Sequence, residues 1–492
     1  MLDRLAHALR TVHPDRPAVL HHTRTGAARV RIRRGELADL AEVYAAALHA
    51  RGLTDGATLG VAVRPGPRAL AVMLAAHRLG LRIAVLDPAA GPDVLAARLA
   101  LARPDLVLAD AAAQAVAGWA GPLARRADLA LPRLTSLGPV ATLGRRLPGC
   151  APRLRTGATT TPAPRTGGRD TDAVIVFTSG TTARPRAVVH TREGLAAGLR
   201  TVTELVGPRP GTTVLGGTFF VLVPSLAAGA TVALPSRTPA ALARQLTRSA
   251  PAQTYLTPPQ LRAALRSGAR FRGRVWTGSA PADAALLRRV KEAGADEAWG
   301  VYALTELFPA AAVEEAEKSA FTGPGDLVGA PLPGVRTDLG PDGELLLAGP
   351  GARHRYLGEE PDPWVRTSDR AALAPDGRIV LAGRLKDMVL RGAENIYPGL
   401  YEPALHLPGV ELAVLVGVPR AGAPGDERLV ALVQPRPGTD PHGLRTALQG
   451  PLDRMGSARP DAVLFGEVPL AGRSRKPDRT AASAYCAREL TA

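Results

Sequence analysis

The chain has 492 residues, a formal net charge of +17 at pH 7 and 46% hydrophobic residues. This length exceeds what one compact core supports, so two or more domains are expected. The positive charge comes from arginines scattered along the chain, and only four of the 61 basic residues are lysine. Because basic runs interleaved with aromatic residues are missing, the composition argues against a nucleic-acid partner.

Cysteine usage and the N-terminal segment indicate a cytoplasmic protein. Cys150 and Cys486 are the only cysteines, too few for a disulfide framework or a metal site. The first ten residues carry charges and lack the apolar stretch of a signal peptide. Residues 213–235 are uncharged and long enough to span a bilayer. Their prolines and glycines, and a strand-like run at 219–223, favour a buried part of an α/β core, so no membrane span is expected.

From residue 58 the pattern alternates between strands and helices. Strands are predicted over 58–63, 82–87, 106–109 and 173–176, and a helix over 67–79. Residues 143–172, rich in Pro, Thr, Gly and Arg, are predicted to form a long loop. The alternation resumes after residue 195 and continues to about residue 300. Such alternation predicts parallel sheet with right-handed crossovers.

The pattern changes beyond residue 340. Short antiparallel strands are predicted over 343–349 and 378–382. A helix over 400–407 and strands over 411–418 and 428–434 predict a small α+β unit. We therefore place a domain boundary after Arg384, which gives an N-terminal domain of residues 1–384 and a C-terminal domain of residues 385–492.

One polar cluster, Phe177 to His190, follows the strand predicted over 173–176. It reads Phe-Thr-Ser-Gly-Thr-Thr-Ala-Arg-Pro-Arg-Ala-Val-Val-His. Hydroxyl residues around a glycine, with cations nearby, are suited to holding phosphate oxygens. The order differs from that of a P-loop. The cluster is either a phosphate site of another type or a polar surface turn.

Three more polar clusters are suited to other parts of a nucleotide. Thr277–Pro281 follows a strand and offers close approach of its backbone to a flat ring. Tyr302–Glu306 ends another strand, where α/β sheets place ligands, and a carboxylate there suits Mg²⁺. Thr367–Asp369 presents a carboxylate that can accept hydrogen bonds from two ribose hydroxyls. Each cluster alone is also compatible with an ordinary structural role.

In this order the clusters resemble the motifs of the adenylate-forming superfamily, which includes acyl-CoA synthetases, peptide-synthetase adenylation domains and luciferases. The segment 177–190 resembles its phosphate loop, 302–306 its Tyr-Gly-x-Thr-Glu motif, and 367–369 its Thr-Gly-Asp motif. Residues 383–398 resemble its hinge motif, and 469–479 its final Gly-Lys-x-x-Arg motif. The resemblance covers about residues 10 to 485. It implies an α/β fold: a large N-terminal domain of parallel-rich α/β sheets plus a distorted β-barrel, and a small mobile α+β C-terminal domain.

The resemblance also implies a function: ATP-dependent activation of a carboxylic acid as an acyl-adenylate, with Mg²⁺, and with CoA as the co-substrate. Attack of a carboxylate on a phosphate brings two anions together, so electrostatic stabilisation should dominate. The implied nucleotide-binding residues are Thr178, Ser179, Gly180, Thr181 and Thr182 for the β- and γ-phosphates, Gly278, Ser279, Ala280 and Tyr302 for adenine, and Asp369 and Arg384 for the ribose. The implied catalytic residues are Lys476, Thr305, Arg186 and Glu306, with Glu306 also the magnesium ligand, and Lys386 is the implied hinge residue.

The motifs depart from the family pattern at three places. The phosphate loop has Ala183 for Gly and Arg186 for Lys, the hinge region has Leu400 for Glu but keeps Glu402, and Arg475 replaces the Gly before Lys476. None of these changes removes the residues with implied catalytic roles, so an active enzyme is expected. An inactive member of the family is the alternative.

The acid and the acceptor are less well defined. Val221 and Leu222 stand where adenylation domains carry the aspartate that binds an amino group, which argues against an α-amino acid. Apolar residues between 219 and 226 favour a fatty or other hydrophobic acid. The segment 394–398 resembles acyl-CoA synthetases and favours a thiol of CoA or a carrier protein as acceptor. Residues 305–309, 322–325 and 328–334 resemble β-lactone synthetases of olefin biosynthesis, whose acceptor is the substrate's own hydroxyl.

Overall fold

The computed structural model describes residues 1–87, 92–111, 114, 138–157, 168, 171–178, 186–391, 394–420, 426–472 and 475–491. The chain divides into two compact units. Unit 1 comprises Met1–Tyr255, Thr305–Pro309 and Gly349–Val365, and unit 2 comprises Leu256–Leu304, Ala310–Ala348 and Arg366–Ala492. The domain boundary predicted after Arg384 stays a prediction.

The regular elements of the described residues are numbered in chain order. The strands are β1 (Pro17–His22), β2 (Ala28–Arg33), β3 (Thr58–Ala62), β4 (Arg82–Val85), β5 (Leu106–Asp110), β6 (Val140–Leu143), β7 (Asp172–Phe177), β8 (Ala187–Thr191), β9 (Thr213–Leu215), β10 (Thr231–Ala233), β11 (Gln253–Tyr255), β12 (Arg274–Gly278), β13 (Glu297–Tyr302), β14 (Ala311–Glu314), β15 (Asp326–Pro331), β16 (Arg336–Leu339), β17 (Glu344–Ala348), β18 (Arg355–Tyr356), β19 (Val365–Leu373), β20 (Ile379–Arg384), β21 (Val389–Arg391), β22 (Glu394–Ile396), β23 (Val410–Pro419), β24 (Glu427–Pro435), β25 (Ala462–Phe465), β26 (Leu470–Ala471) and β27 (Lys476–Pro477). The α-helices are α1 (Leu2–Thr11), α2 (Arg34–His49), α3 (Pro67–Leu79), α4 (Pro92–Ala102), α5 (Arg192–Val206), α6 (Phe219–Ala227), α7 (Pro239–Ser249), α8 (Pro258–Arg266), α9 (Ala284–Glu292), α10 (Glu315–Ala320), α11 (Pro441–Asp453) and α12 (Arg479–Thr491). Short 3₁₀ helices cover Leu385–Asp387, Pro398–Leu400, Glu402–Leu405 and Gly456–Ala458.

Unit 1 is built on two groups of hydrogen-bonded strands. The first has the order β18-β8-β7-β4-β3-β5-β6, in which β7, β4, β3, β5 and β6 are parallel neighbours. Strands β8 and β18 continue this sheet with antiparallel pairing. The second group has the order β11-β9-β10-β1-β2, and only β1 and β2 pair in antiparallel fashion. The predicted alternation is therefore confirmed, and helix α3 has the predicted bounds.

The core of unit 1 forms where the apolar faces of its helices pack against the strands. Leu37 and Leu48 of α2, Leu70 of α3, and Leu59 and Leu108 of the sheet are all fully buried. The five residues of β3 and those of β5 are buried on both faces, as expected for central parallel strands covered by helices. This packing fixes the sheet whose strands β7 and β8 flank the predicted phosphate loop.

Unit 2 begins with a parallel pair and continues as an antiparallel sheet. Strands β12 and β13 are parallel. Strands β13, β14, β15 and β20 then pair in antiparallel fashion, followed by β19, β17 and β16. The short antiparallel strands predicted near 343–349 and 378–382 are confirmed as β17 and β20.

The C-terminal part of unit 2 is an α+β arrangement around the sheet β23-β24-β25. Side chains alternate along β23: Leu415 belongs to the same cluster as α11, and Val416 to the same cluster as α12. Because successive side chains of a strand point to opposite faces, one helix covers each face of the sheet. This agrees with the predicted small α+β unit and gives a mixed α/β fold overall.

Two predicted elements were wrong. Residues 219–223, predicted as strand-like, form the first turns of helix α6, because periodicity alone does not separate a short apolar strand from a buried helix. Residues 400–407, predicted as one helix, form parts of two short 3₁₀ helices. Proline at 403 has no N–H to donate to the preceding turn, which prevents a continuous α-helix there.

None of the helices in the described ranges combines the length and the apolar composition needed to cross a bilayer. Residues 213–235 instead contain β9, α6 and β10.

A partly buried carboxylate of unit 2, that of Asp283, caps a helix. Asp283 precedes α9, and its Oδ1 accepts a hydrogen bond of 2.7 Å from the Leu286 backbone N–H. Its Oδ2 accepts one of 2.7 Å from the Arg262 guanidinium and lies 3.8 Å from His406 Nε2. Burial raises the pKa of the Asp283 carboxyl, but the charges of His406 and Arg262 and the Leu286 N–H outweigh burial and lower it to about 2.

Replacing Asp283 with asparagine is expected to destabilise unit 2 in a pH-dependent way. Asparagine keeps the cap, so the change removes the charge alone. A carboxyl with a lowered folded-state pKa contributes stability above its unfolded pKa of about 3.9, here about 2 kcal/mol. That contribution is lost as the pH falls from about 5 towards 2. Urea unfolding followed by tryptophan fluorescence should show a large difference from the wild type at pH 7 and a smaller one at pH 3. An equal difference at both pH values, or an effect of the exposed control Asp342→Asn, would contradict this.

Candidate active site

The predicted site residues fall into two groups, one in each unit. In unit 1 the phosphate-loop segment connects β7 to β8, which pair from Asp172 opposite Thr191 to Phe177 opposite Ala187. The Thr178 N–H donates to the Arg186 carbonyl at 3.0 Å and closes the base of the loop. Ser179, Gly180, Thr181, Thr182 and Ala183 lie outside the described residues. The structure thus defines the two ends of the loop.

Arg186, at the end of the loop, lies against an aromatic ring. Its guanidinium carbon is 3.9 Å from the ring centroid of Tyr356, a distance typical of a cation–π contact. One guanidinium nitrogen is also 3.9 Å from the Glu359 carboxylate. The side chain is more than half exposed, so the ion pair contributes little to stability.

Glu306, the predicted magnesium ligand, is held by its neighbours in unit 1. Its Oε1 accepts a hydrogen bond of 3.0 Å from the Tyr356 hydroxyl. Its backbone carbonyl accepts one of 2.6 Å from the Arg353 N–H. Burial, and then the Glu306 charge, raise the pKa of the Tyr356 hydroxyl, so the tyrosine is a neutral donor at pH 7. Tyr356 and Arg353 were not singled out by the sequence.

The geometry around Glu306 fits a magnesium ion that arrives with a nucleotide. Mg²⁺ prefers oxygen ligands and is commonly bound by one or two carboxylates plus phosphate oxygens. Within the described ranges, no group of three or more His, Cys, Asp or Glu side chains is placed to hold a metal ion. A carboxylate that depends on phosphates for further ligands is compatible with both facts.

A buried histidine lies next to Thr305, another predicted site residue. His190 is 1% exposed, and its Nε2 is 2.8 Å from the Thr305 carbonyl oxygen. Burial lowers the pKa of the imidazole, so His190 is neutral at pH 7. Its ring makes an edge contact with Phe308, 5.5 Å between centroids, and Phe308 also contacts Phe220 at 4.0 Å. The sequence signal that could have identified His190 is its place as the last residue of the polar cluster 177–190.

In unit 2, Tyr302, Asp369 and Arg384 form one hydrogen-bonded group. The Tyr302 hydroxyl donates to Asp369 Oδ2 at 2.6 Å, and Arg384 Nε donates to Asp369 Oδ1 at 3.1 Å. Asp369 and Arg384 are direct partners in the pairing of β19 with β20. Burial, and then the Asp369 charge, raise the pKa of Tyr302 well above its usual value, so Tyr302 remains a donor. The structure therefore brings together three residues predicted on separate segments.

The segment Gly278–Ala280 begins at the same edge of unit 2 at which Tyr302 ends its strand. Parallel strands β12 and β13 pair Gly278 opposite Val301, so both carboxyl ends lie side by side. Ser279 has a φ of +68°, in the left-handed region that few non-glycine residues adopt. The strained backbone and the neighbouring strand end are consistent with a binding edge of an α/β sheet.

Among the positions where the family motifs have glycine and this chain has a side chain, Ser368 and Arg475 have left-handed backbone. Ser368 has a φ of +58°, and its N–H donates to Glu344 Oε1 at 2.9 Å. Arg475 has a φ of +47°, directly before Lys476. The conformation explains why glycine is usual there, because it has no Cβ to oppose positive φ.

Lys476 lies on β27, opposite Ala471 of β26, and its side chain is exposed. Arg479 anchors the chain three residues later. Its guanidinium donates to both Glu402 oxygens, at 2.6 and 2.8 Å, and to Asp387 Oδ2 at 3.1 Å. Burial lowers the pKa of Arg479, but the two carboxylates outweigh burial and raise it. Asp387 follows the predicted hinge residue Lys386, which is exposed in the 3₁₀ helix Leu385–Asp387.

Comparison with known proteins gives consistent findings. The protein family described as "AMP-binding enzyme" matches residues 6–357 of this chain. A feruloyl-CoA synthase of Amycolatopsis sp is 29% identical over 362 residues, which cover 61% of this chain and 70% of that protein. An indoleacetate–CoA ligase of Aromatoleum aromaticum is 28% identical, over 90% of this chain and 91% of that protein. The solved structure of the amide bond synthetase McbA from Marinactinospora thermotolerans superposes with a TM-score of 0.77 at 23% identity, covering 98% of this chain and 99% of that one. This last likeness shows the fold.

Proposed function

Because the chain belongs to the AMP-binding enzyme family, we propose that it activates a hydrophobic carboxylic acid with ATP and Mg²⁺. Pyrophosphate leaves, and the acyl group then passes from the acyl-adenylate to a thiol, with CoA as the acceptor. Support for CoA comes from the two relatives, whose names include a CoA ester or CoA ligation. The amide bond synthetase carries no argument about the acceptor.

The observation that carries the proposal is the Asp369 group of unit 2. Tyr302 and Arg384 fix both carboxylate oxygens, and Asp369 is only 6% exposed. Each oxygen retains lone pairs that can accept from a further donor. Two hydroxyls on adjacent carbons, as in ribose, match two carboxylate oxygens held in one plane. Gly278–Ala280 and the end of β13 would receive the adenine.

Residues of unit 1 would serve the phosphates. The hydroxyl-rich loop closed by Thr178 and Arg186 would bind the β- and γ-phosphates, and Arg186 would add positive charge. Glu306 would hold Mg²⁺, which neutralises phosphate charge when bound. Thr305 would contact the α-phosphate.

Lys476 would approach the substrate carboxylate and the α-phosphate as they react. Its compact ammonium suits convergent oxygens better than a planar guanidinium. Lys386 would be the residue about which the C-terminal part, residues 385–492, reorients between the two half-reactions. The Arg479 ion pairs support this, since they join the segments that carry Lys386 and Lys476.

The acid would be hydrophobic, and an aromatic ring is compatible with the site as well as a fatty chain. Phe220 and Phe308 stack near His190 in unit 1, and aromatic pairs of this kind accept a further ring by offset or edge contact. The names of both relatives specify aromatic acids. We therefore expect arylalkyl acids to be accepted alongside fatty acids.

The test is acid-dependent exchange of ³²P between pyrophosphate and ATP, with a panel of ferulic acid, indoleacetic acid and matched plain and β-hydroxy fatty acids. At least one hydrophobic acid should drive exchange, and mass spectrometry should show its CoA thioester only when CoA is present. Loss of water from the β-hydroxy acid alone, without CoA, would instead establish a β-lactone synthetase. Absence of exchange with every acid would contradict the proposed function.

A further inference from the structure

We propose that Tyr356 is the positioning residue of the magnesium-binding carboxylate, and that Arg186 and Arg353 hold its ring in place. This inference rests on the proposed function, because it assigns Glu306 to the metal. It adds a residue that lies outside the five motifs by which the site was identified. The geometry that supports it lies wholly within unit 1.

The backbone of Tyr356 is fixed next to the phosphate loop. Strand β18 pairs with β8, so that Tyr356 lies opposite Val188. Leu357 N–H donates to the Ala187 carbonyl at 2.8 Å, directly after the loop. Backbone hydrogen bonds therefore join the end of the loop to the strand that carries Tyr356.

The ring of Tyr356 is held by two guanidinium groups. Arg186 lies 3.9 Å and Arg353 4.6 Å from the ring centroid. Arg353 is itself buried, and it donates to the carbonyls of Asp362 and Trp364 at 2.9 and 3.1 Å. One of the two cations is thus locked by the fold, whereas Arg186 belongs to the loop.

The hydroxyl of Tyr356 selects one orientation of the Glu306 carboxylate. A free glutamate side chain has three rotatable bonds, and ordering it opposes metal binding through lost rotamer entropy. The 3.0 Å hydrogen bond to Oε1 restrains the carboxylate and does not involve Oε2. Hydrogen bonds that orient ligating groups in this way typically contribute 10- to 100-fold in metal affinity.

The arrangement also gives a physical reason for arginine at position 186. A guanidinium is planar and stacks on an aromatic face, whereas an ammonium is a strongly hydrated point charge. Arg186 therefore connects the loop that would carry phosphate to the tyrosine that orients the metal ligand.

The test is the affinity of the enzyme for the Mn²⁺ complex of α,β-methylene-ATP, measured by calorimetric titration and compared with its affinity for the metal-free analogue. Tyr356→Phe should weaken Mn²⁺ binding about tenfold, while affinity for the metal-free analogue in EDTA changes less than twofold. In a Glu306→Gln background, Tyr356→Phe should have no further effect on Mn²⁺. The matched control Tyr485→Phe, on α12, should bind Mn²⁺ like the wild type.

Three results would overturn the inference: unchanged Mn²⁺ affinity in Tyr356→Phe, equal loss of metal-free and metal-bound nucleotide, or additive effects in the double variant. Arg186→Lys is the second variant, and it should also weaken Mn²⁺ binding. If Arg186→Lys binds Mn²⁺ with wild-type affinity, the guanidinium of Arg186 does not hold the Tyr356 ring in place. A different result is expected if the proposed function itself is wrong. In that case the wild type would neither bind the analogue nor exchange pyrophosphate with any acid.

Discussion

Replacing Lys476 with alanine is expected to lower acid-dependent pyrophosphate exchange by about 10²–10³-fold, the usual effect of removing one group that stabilises transition-state charge. The reacting carboxylate and phosphate are both anionic, and the ammonium would lie where their oxygens converge. The loss should appear in kcat, with ATP affinity changed only a few-fold, because the charge interaction is strongest in the transition state. Initial exchange rates at saturating ATP and acid measure this directly.

Two variants make the Lys476 result specific. Lys476→Arg keeps the charge but should restore little activity, since a planar guanidinium does not replace a compact ammonium among converging oxygens. Lys291→Ala is the matched control, because Lys291 pairs with Glu314 and Glu315 at 3.2 and 3.6 Å on the surface of unit 2. Exchange by Lys476→Ala within threefold of the Lys291 control would refute the catalytic assignment.

Replacing Asp369 with alanine is expected to weaken ATP binding about 100-fold, because hydrogen bonds to a charged group contribute about 1.5–3 kcal/mol each. The change would remove the proposed acceptor for two ribose hydroxyls, and it leaves Tyr302 and Arg384 without their shared partner. Tripolyphosphate has no ribose, so its binding should change little. Calorimetric titration with both ligands separates recognition of the ribose from general disruption of the site.

A comparison of nucleotides makes the Asp369 test sharper. The wild type should bind 2′,3′-dideoxy-ATP more weakly than ATP, whereas Asp369→Ala should bind the two alike, since the ribose hydroxyls then have no carboxylate with which to interact. Asp376→Asn, in an exposed turn, is the control and should behave as the wild type. If Asp369→Ala still distinguishes the two nucleotides, Asp369 does not bind the ribose.

Much of the fold was predictable because its elements are periodic and clearly bounded. Helix α3 begins at a proline and ends before Gly80, which has a φ of +72°, and both signals can be read from the sequence. Strands were also predicted directly before the polar clusters Thr277–Pro281 and Tyr302–Glu306, and β12 and β13 end there. Their carboxyl ends lie together because the connection between them makes them parallel.

The contacts that define the unit 1 group were not predictable, because they join distant segments. Tyr356 and Glu306 are 50 positions apart, and His190 and Thr305 are 115 apart. Neither Tyr356 nor His190 belongs to a local pattern that predicts its partner. The single helix predicted over 400–407 was wrong for a local reason, because proline at 403 interrupts an α-helix there.

The left-handed backbone at Ser368 and Arg475 has a consequence for the stability of the chain. A residue with a Cβ in that conformation is less stable than glycine by roughly 1 kcal/mol or more. The fold must therefore supply that stability through contacts elsewhere. Replacing Ser368 or Arg475 with glycine would enlarge the stability reserve from which further substitutions in this chain are tolerated.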